Sequence, residues 1–142
     1  MKPAVRWALR LGLGGLFLVT GVLKLRDPAG FATAVANYQL FPALAALLAA
    51  TLPAVEIVAG LALIAAPGPW RRAAALAIAL LMAVFTAAAG SALVRRIDIS
   101  CGCFGADSGR IDALTIVRDL VLLAAALGLV VIDRDAGPDA DR

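Results

Sequence analysis

Four apolar runs of about twenty residues each, joined by short polar segments, constrain this chain more than any other feature. They cover residues 7–25, 40–66, 73–94 and 113–132. A hydrocarbon core of ~30 Å needs about 20 helical residues to cross it. Inside lipid every backbone N–H and C=O must find a partner within the protein, which leaves helices or closed barrels. The runs lack the period-two alternation of barrel strands. The expected fold is therefore all-α, an integral membrane four-helix bundle. Composition agrees: 63% of the 142 residues are hydrophobic and only 16% are charged. A soluble domain of this size has too little interior to hide that much apolar surface, so lipid must cover the rest.

The joints carry their own signals. The start, with Lys2 and Arg6 before an apolar stretch, is like a secretory leader. Yet the run ends in Gly21-Val22-Leu23-Lys24-Leu25-Arg26 with no small-residue cleavage site, so an uncleaved first span is expected. After it, Asp27 suits an N-cap and Pro28 a first helical position. Phe31, Val35 and Tyr38 recur at helical spacing, which predicts a short interfacial helix with Tyr38 at headgroup level. Pro67-Gly68-Pro69-Trp70-Arg71-Arg72 reads as a tight turn, and Trp7 and Trp70 as interface anchors. Residues 133–142 read as a polar, disordered tail beyond a single membrane domain at 1–132.

Orientation rests on the basic residues. With both termini cytoplasmic, seven Lys or Arg lie on that side and six on the other. The basic N-terminus and the Arg71-Arg72 pair decide for termini inside. The expectation is a multi-pass protein of a bacterial inner (plasma) membrane, with the joint between spans three and four periplasmic or extracellular.

That joint holds the only two cysteines, in Ser100-Cys101-Gly102-Cys103-Phe104-Gly105. Gly102 relaxes the backbone torsions that a ring between Cys101 and Cys103 requires. Such a ring is strained, hence easily reduced, and closes too little chain to act as a staple. Thiol–disulfide exchange is the leading reading. Two readings stay open beside it: a pair of small thiols with no role, and a metal site. The second would need two further ligands, and the chain has no His and no third Cys. The missing histidine also excludes His-ligated haem and the usual general base. No basic patch with interleaved aromatics points to nucleic acid.

Charges inside the runs are costly and therefore candidates for function. Glu56, sixteen residues past Leu40, and Arg10, fourteen before Lys24, fall at matching depth if both spans end at one face, so a buried Arg10–Glu56 ion pair is expected. A neutral Glu56, an Arg10 that snorkels to the headgroups, and proton or quinone chemistry at Glu56 are the alternatives. Arg118 and Asp119 lie one and a half turns into span four, below the cysteines, and Lys24 ends span one at the same face. Arg118 is a candidate stabiliser of a thiolate, with local pairing to Asp119 or Asp112 as the alternative. Gly12, Gly14, Gly15, Gly21 and Gly60 allow close helix approach.

Taken in order, these features resemble the MauE/DoxX group of four-span membrane proteins. The resemblance rests on Arg10 and the Gly-rich first span, on Gly21 through Pro28, and on Phe31, Tyr38 and Pro42. It continues with Pro53-Ala54-Val55-Glu56, Gly60, Cys101-Gly102-Cys103-Phe104-Gly105 and Arg118-Asp119, covering nearly the whole chain. The Cys-Gly-Cys-Phe-Gly element points to the MauE side, linked to methylamine utilisation; Ser100 stands where an acidic residue often precedes the first cysteine. The resemblance implies passage of electrons to or from thiols with a thioredoxin-like partner outside the cytoplasm, a link to dehydrogenase maturation, and a quinone as candidate electron sink. A non-catalytic membrane scaffold for a redox enzyme is the alternative from another class. A transporter comes third, since the spans hold few polar groups to line a path.

Overall fold

A computed structural model describes residues 3–99 and 110–135. Within them four helices are long and apolar enough to cross a membrane. Helix α1 is Pro3–Arg26, α2 Pro28–Asn37, α3 Ala45–Ala65, α4 Gly68–Val94 and α5 Ala113–Asp135, with a 3₁₀ turn at Pro42–Leu44. The expected all-α bundle is what forms. Each long helix packs on its neighbours in sequence and α5 closes back on α1, so the spans stand as a square in chain order. Among the described residues the diagonal pairs, α1 with α4 and α3 with α5, bring no Cα atoms within 8 Å of each other, although the Lys24 side chain of α1 reaches Phe85 on α4.

The core lies where the four spans meet, around Phe17, Leu63, Ile78, Met82 and Leu129. The outer faces are as apolar as the core: Val58, Leu80, Leu114 and Val121 are all more than 60% exposed. In water such a surface would drive association, whereas in a bilayer it is the lipid-facing side.

Close approach between α1 and α3 depends on three glycines. A Cβ at Gly60 would stand 2.7 Å from the carbonyl oxygen of Gly14, and one at Gly14 2.9 Å from that of Gly60. At Gly21 it would meet the Pro53 carbonyl at 3.0 Å and Ile57 at 2.7 Å. Gly12 and Gly15 face open space. Of the five glycines in the sequence argument, only Gly14, Gly21 and Gly60 make helix contact.

Helix boundaries differ from expectation at four places. The first span begins at Pro3 rather than 7, and the second at Ala45 rather than 40, after the 3₁₀ turn. The third span begins at Gly68 rather than 73, because Pro69 sits in the first turn, where no backbone donor is needed. What reads as a turn is the start of a helix, and only Ala66 and Pro67 connect the two spans. The fourth span runs on to Asp135, so residues 133–135 belong to α5 and not to a tail; residues 136–142 lie outside the described residues. Helix α4 ends in a Schellman turn: Arg96 takes φ 56° and the Ile97 N–H donates to the Ala92 carbonyl at 3.0 Å.

The short helix forms where expected. The Gly30 N–H donates to Oδ1 of the N-cap Asp27 at 2.9 Å, with Pro28 in the first turn. Phe31 and Ala34 are buried because α2 folds back against α3.

Candidate functional site

Charged side chains occupy both ends of the bundle interior. At the end where α1 finishes and α5 begins, Nζ of Lys24 donates to Oε1 of Glu56 at 2.5 Å, and both residues are 1% exposed. The ammonium also stands over the rings of Phe31 (5.1 Å) and Phe85 (4.9 Å), an arrangement that favours a cation in a dry site. On α5, Arg118 donates through Nε and an Nη to Oδ1 of Asp119, at 3.0 and 2.8 Å. Asp119 is buried, while a third of the Arg118 side chain remains exposed.

Glu56 therefore pairs with Lys24, and the expected Arg10–Glu56 pair does not form. The antiparallel register explains why. Gly14 lies against Gly60 and Gly21 against Pro53, which places Glu56 opposite Leu18 and Arg10 opposite Ile64. At 1.5 Å per residue Arg10 is about 12 Å from the level of Glu56. Side chains on a helix lean towards its N-terminus. Lys24 and Glu56, on antiparallel helices, lean towards each other, and Arg10 leans away. Glu56 and Arg10 differ in depth because α3 does not start level with Lys24: the same register sets Ala50 there, and the first turn of α3 rises beyond it beside α2.

Arg10 serves the opposite end. It donates to Oδ1 of Asp133 at 2.5 Å and stacks over Trp7 at 5.7 Å. Arg71 approaches the same carboxylate, Nε to Oδ2 at 3.7 Å, and donates to the Ala66 carbonyl at 3.3 Å. Ending the fourth span at Ile132 hides Asp133 from sequence reasoning by one residue. A carboxylate one residue past the last apolar run, at the membrane face where Arg10 enters the first span, was the available signal.

Cys101 and Cys103 lie outside the described residues. The chain on either side of them is tied together: Arg110 pairs with Asp98, and the Ile111 N–H donates to the Ile99 carbonyl at 3.2 Å. Arg95 donates to the Tyr38 carbonyl, fastening α4 to the end of α2. Asp112 caps α5, accepting from the Thr115 N–H (2.8 Å) and hydroxyl (3.0 Å), and these bonds hold its carboxyl below the usual carboxylate range. Tyr38 is half-buried beside this end. Burial foremost, then the Asp119 carboxylate, pushes its hydroxyl up to about 12, with Arg118 opposing.

Fold and site together define a polytopic membrane protein whose interior is stitched by ion pairs at both ends. The family model of the methylamine utilisation protein MauE matches residues 2–132, and the chain belongs to that family. It is 37% identical to the methylamine utilization protein MauE of Paracoccus denitrificans over 132 residues, 91% of this chain and 70% of the relative. Against the protein of the same description from Paracoccus versutus it is 37% identical over 139 residues, 96% of this chain and 74% of the relative. No solved structure matches it.

Proposed function

We propose that this protein is a membrane thiol–disulfide component serving methylamine utilisation, with Cys101 and Cys103 as the exchanging pair and a thioredoxin-like protein as partner. The observation that carries this reading is the closed base of the 100–109 segment, where Asp98–Arg110 and Ile99–Ile111 hold its two ends together at the polar end of the bundle. Support also comes from the two relatives, whose descriptions name methylamine utilization.

The exchange is balanced within the two proteins. A thiolate of this chain attacks one sulfur of the partner's disulfide, and the displaced sulfur leaves as the partner's thiolate. The second cysteine of this chain, as thiolate, then attacks the mixed disulfide. This chain ends oxidised and the partner holds two thiols, the protons having passed from one dithiol to the other; the reverse direction uses the same steps. Cys103, nearer in sequence to Arg118, is the attacking thiol, and Arg118 is the cation that favours its thiolate. Neither of two cavities bounded by the described residues fits a quinone sink. One, of about 20 Å³, is far smaller than a quinone ring. The other is an open groove between α3 and α4, lined by Ala, Val and Trp70 side chains, with the indole N–H as its sole side-chain donor. No step is routed through a quinone.

The test is a redox titration of the purified protein, with non-reducing gels of Cys101→Ser and Cys103→Ser in cells. The pair should titrate between about −120 and −270 mV, the span of known exchange proteins. Cys101→Ser should accumulate a mixed disulfide and Cys103→Ser less. A pair locked in one state over that range, with full function retained when both cysteines are Ser, would leave the scaffold reading instead.

A further inference from the structure

The lipid-facing surface is indented between α3 and α4 by an open groove of about 370 Å³. Alanines line it, among them Ala54, Ala59, Ala62, Ala73 and Ala77, where Leu80 and Val84 further along α4 project into lipid. These two helices also pack less closely on each other than α1 does on α3 or α4 on α5, so their side chains leave the space unfilled. From Ala54 to Ala62 the groove runs about 12 Å along α3, close to the ~15 Å depth of one leaflet's hydrocarbon. Trp70, 70% exposed, stands at its mouth. The neighbouring Arg71 reaches Asp133, which also binds Arg10, so the mouth is level with the ion cluster at that end of the bundle.

We propose that this groove seats one acyl chain of an anionic phospholipid, with Trp70 at headgroup level and the phosphate among the arginines of that end. An apolar groove accepts any lipid tail, and the charge decides which lipid. Among the described residues, this end carries Arg6, Arg10, Arg71, Arg72 and Arg134 against Asp133 and Asp135, five against two, a surplus of three. The opposite end carries Lys24, Arg26, Arg95, Arg96, Arg110 and Arg118 against Asp27, Glu56, Asp98, Asp112 and Asp119, six against five, a surplus of one. The first turn of α4 holds no acidic residue. A phosphate offsets the larger surplus at the level where lipid headgroups lie. A second copy of the chain in the same orientation would instead bring its own arginines to that level, like charge against like. The groove is open on its lipid side, so a chain enters it sideways from the bilayer without crossing water. The site stands whether or not the cysteines exchange thiols.

The chain has two tryptophans, and Trp7→Phe keeps a ring beside Arg10 while leaving Trp70 as the sole fluorophore of its kind. The full chain with that substitution is reconstituted in phosphatidylcholine vesicles. These contain a small fraction of either phosphatidylglycerol or phosphatidylcholine brominated in its acyl chains. Brominated phosphatidylglycerol should quench Trp70 at a lower fraction than brominated phosphatidylcholine, by about fivefold for each arginine that meets the headgroup. Arg72→Gln should reduce the preference. Ala73→Leu with Ala77→Leu, which fills the groove, should abolish it, and Ala87→Leu, exposed further along the same helix, should leave it unchanged. Equal quenching by the two lipids would overturn the proposal as unselective contact with the bilayer. A preference that survives filling of the groove would overturn it by placing the lipid on the arginines alone. Trp70 shielded from both lipids, with cross-linked dimers in the same vesicles, would give the groove to a second copy. The comparison of the two lipids decides the matter even if the filled variant fails to fold.

Discussion

Lys24 and Glu56 can remain ionised in the bundle only as a pair, because each alone would be a buried charge without compensation. Removing one partner of a buried pair destabilises by about 3–5 kcal/mol, while replacing both with apolar groups of similar shape can be nearly neutral. Lys24→Met and Glu56→Leu should therefore each lower the stability of the detergent-solubilised protein by that order. The double variant should recover most of the loss, giving a coupling above about 1 kcal/mol. The same cycle on Arg10 and Glu56 should show additivity, since the register holds them apart; coupling there would contradict the pairing seen in the structure. Tyr38 offers a second readout because it is the chain's only tyrosine. Its ionisation, followed by tyrosinate absorbance, should have a midpoint near 12 rather than 10.0. Asp119→Asn should bring it down. Because the folded value is raised, the stability tied to neutral Tyr38 is present below pH ~10 and is lost as pH climbs towards ~12. A midpoint at the ordinary value would place the ring in water, away from Asp119.

Along the helices, apolar run length and the Asp27-Pro28 cap made spans and α2 readable from sequence, since these are local properties of the chain. Which charge meets which was not readable. Pairing depends on register, and register is set by Gly14, Gly60, Gly21 and Pro53 meeting across the α1–α3 contact. Run length gives only the two ends of a helix, and nothing in it shows that the first turn of α3 lies beyond the level of Lys24. Proline behaved similarly: Pro69 reads as a breaker until its place in the first turn is known. The glycines supply an element-scale prediction. Gly60→Ala forces a Cβ onto the Gly14 carbonyl and should destabilise by about 1–3 kcal/mol, as overpacking does. Gly12→Ala and Gly15→Ala meet nothing within 4 Å and should be neutral or stabilise by up to about 1 kcal/mol through helix propensity. Thermal unfolding of the three variants in one detergent makes the comparison. Equal losses at all three would mean the α1–α3 contact is looser than described.

At the scale of the whole molecule the two charge clusters are not equivalent. Arg10 and Lys24 lie fourteen residues apart on α1, about 21 Å, so each sits towards one edge of a ~30 Å hydrocarbon core, where a charge costs less than at the midplane. Lys and Arg counts at the two faces are nearly equal and do not by themselves orient the bundle. Short joints weigh most in setting orientation, and the shortest is the two-residue Ala66-Pro67 connection, with Arg71 and Arg72 in the helical turn that follows. That face, shared with Arg6, Arg10 and Arg134, should be cytoplasmic. It follows that residues 100–109, joined to α4 and α5 at the other face, should be periplasmic or extracellular. After mild reduction of intact cells, a membrane-impermeant maleimide should label Cys101 and Cys103, and a cysteine introduced at Arg72 in a Cys101→Ser/Cys103→Ser background should react only once the membrane is opened. The reverse pattern would turn the bundle over. It would also put the cysteine pair in the reducing cytoplasm, where a strained disulfide has no oxidant to maintain it, and the thiol-exchange proposal would fall with the orientation.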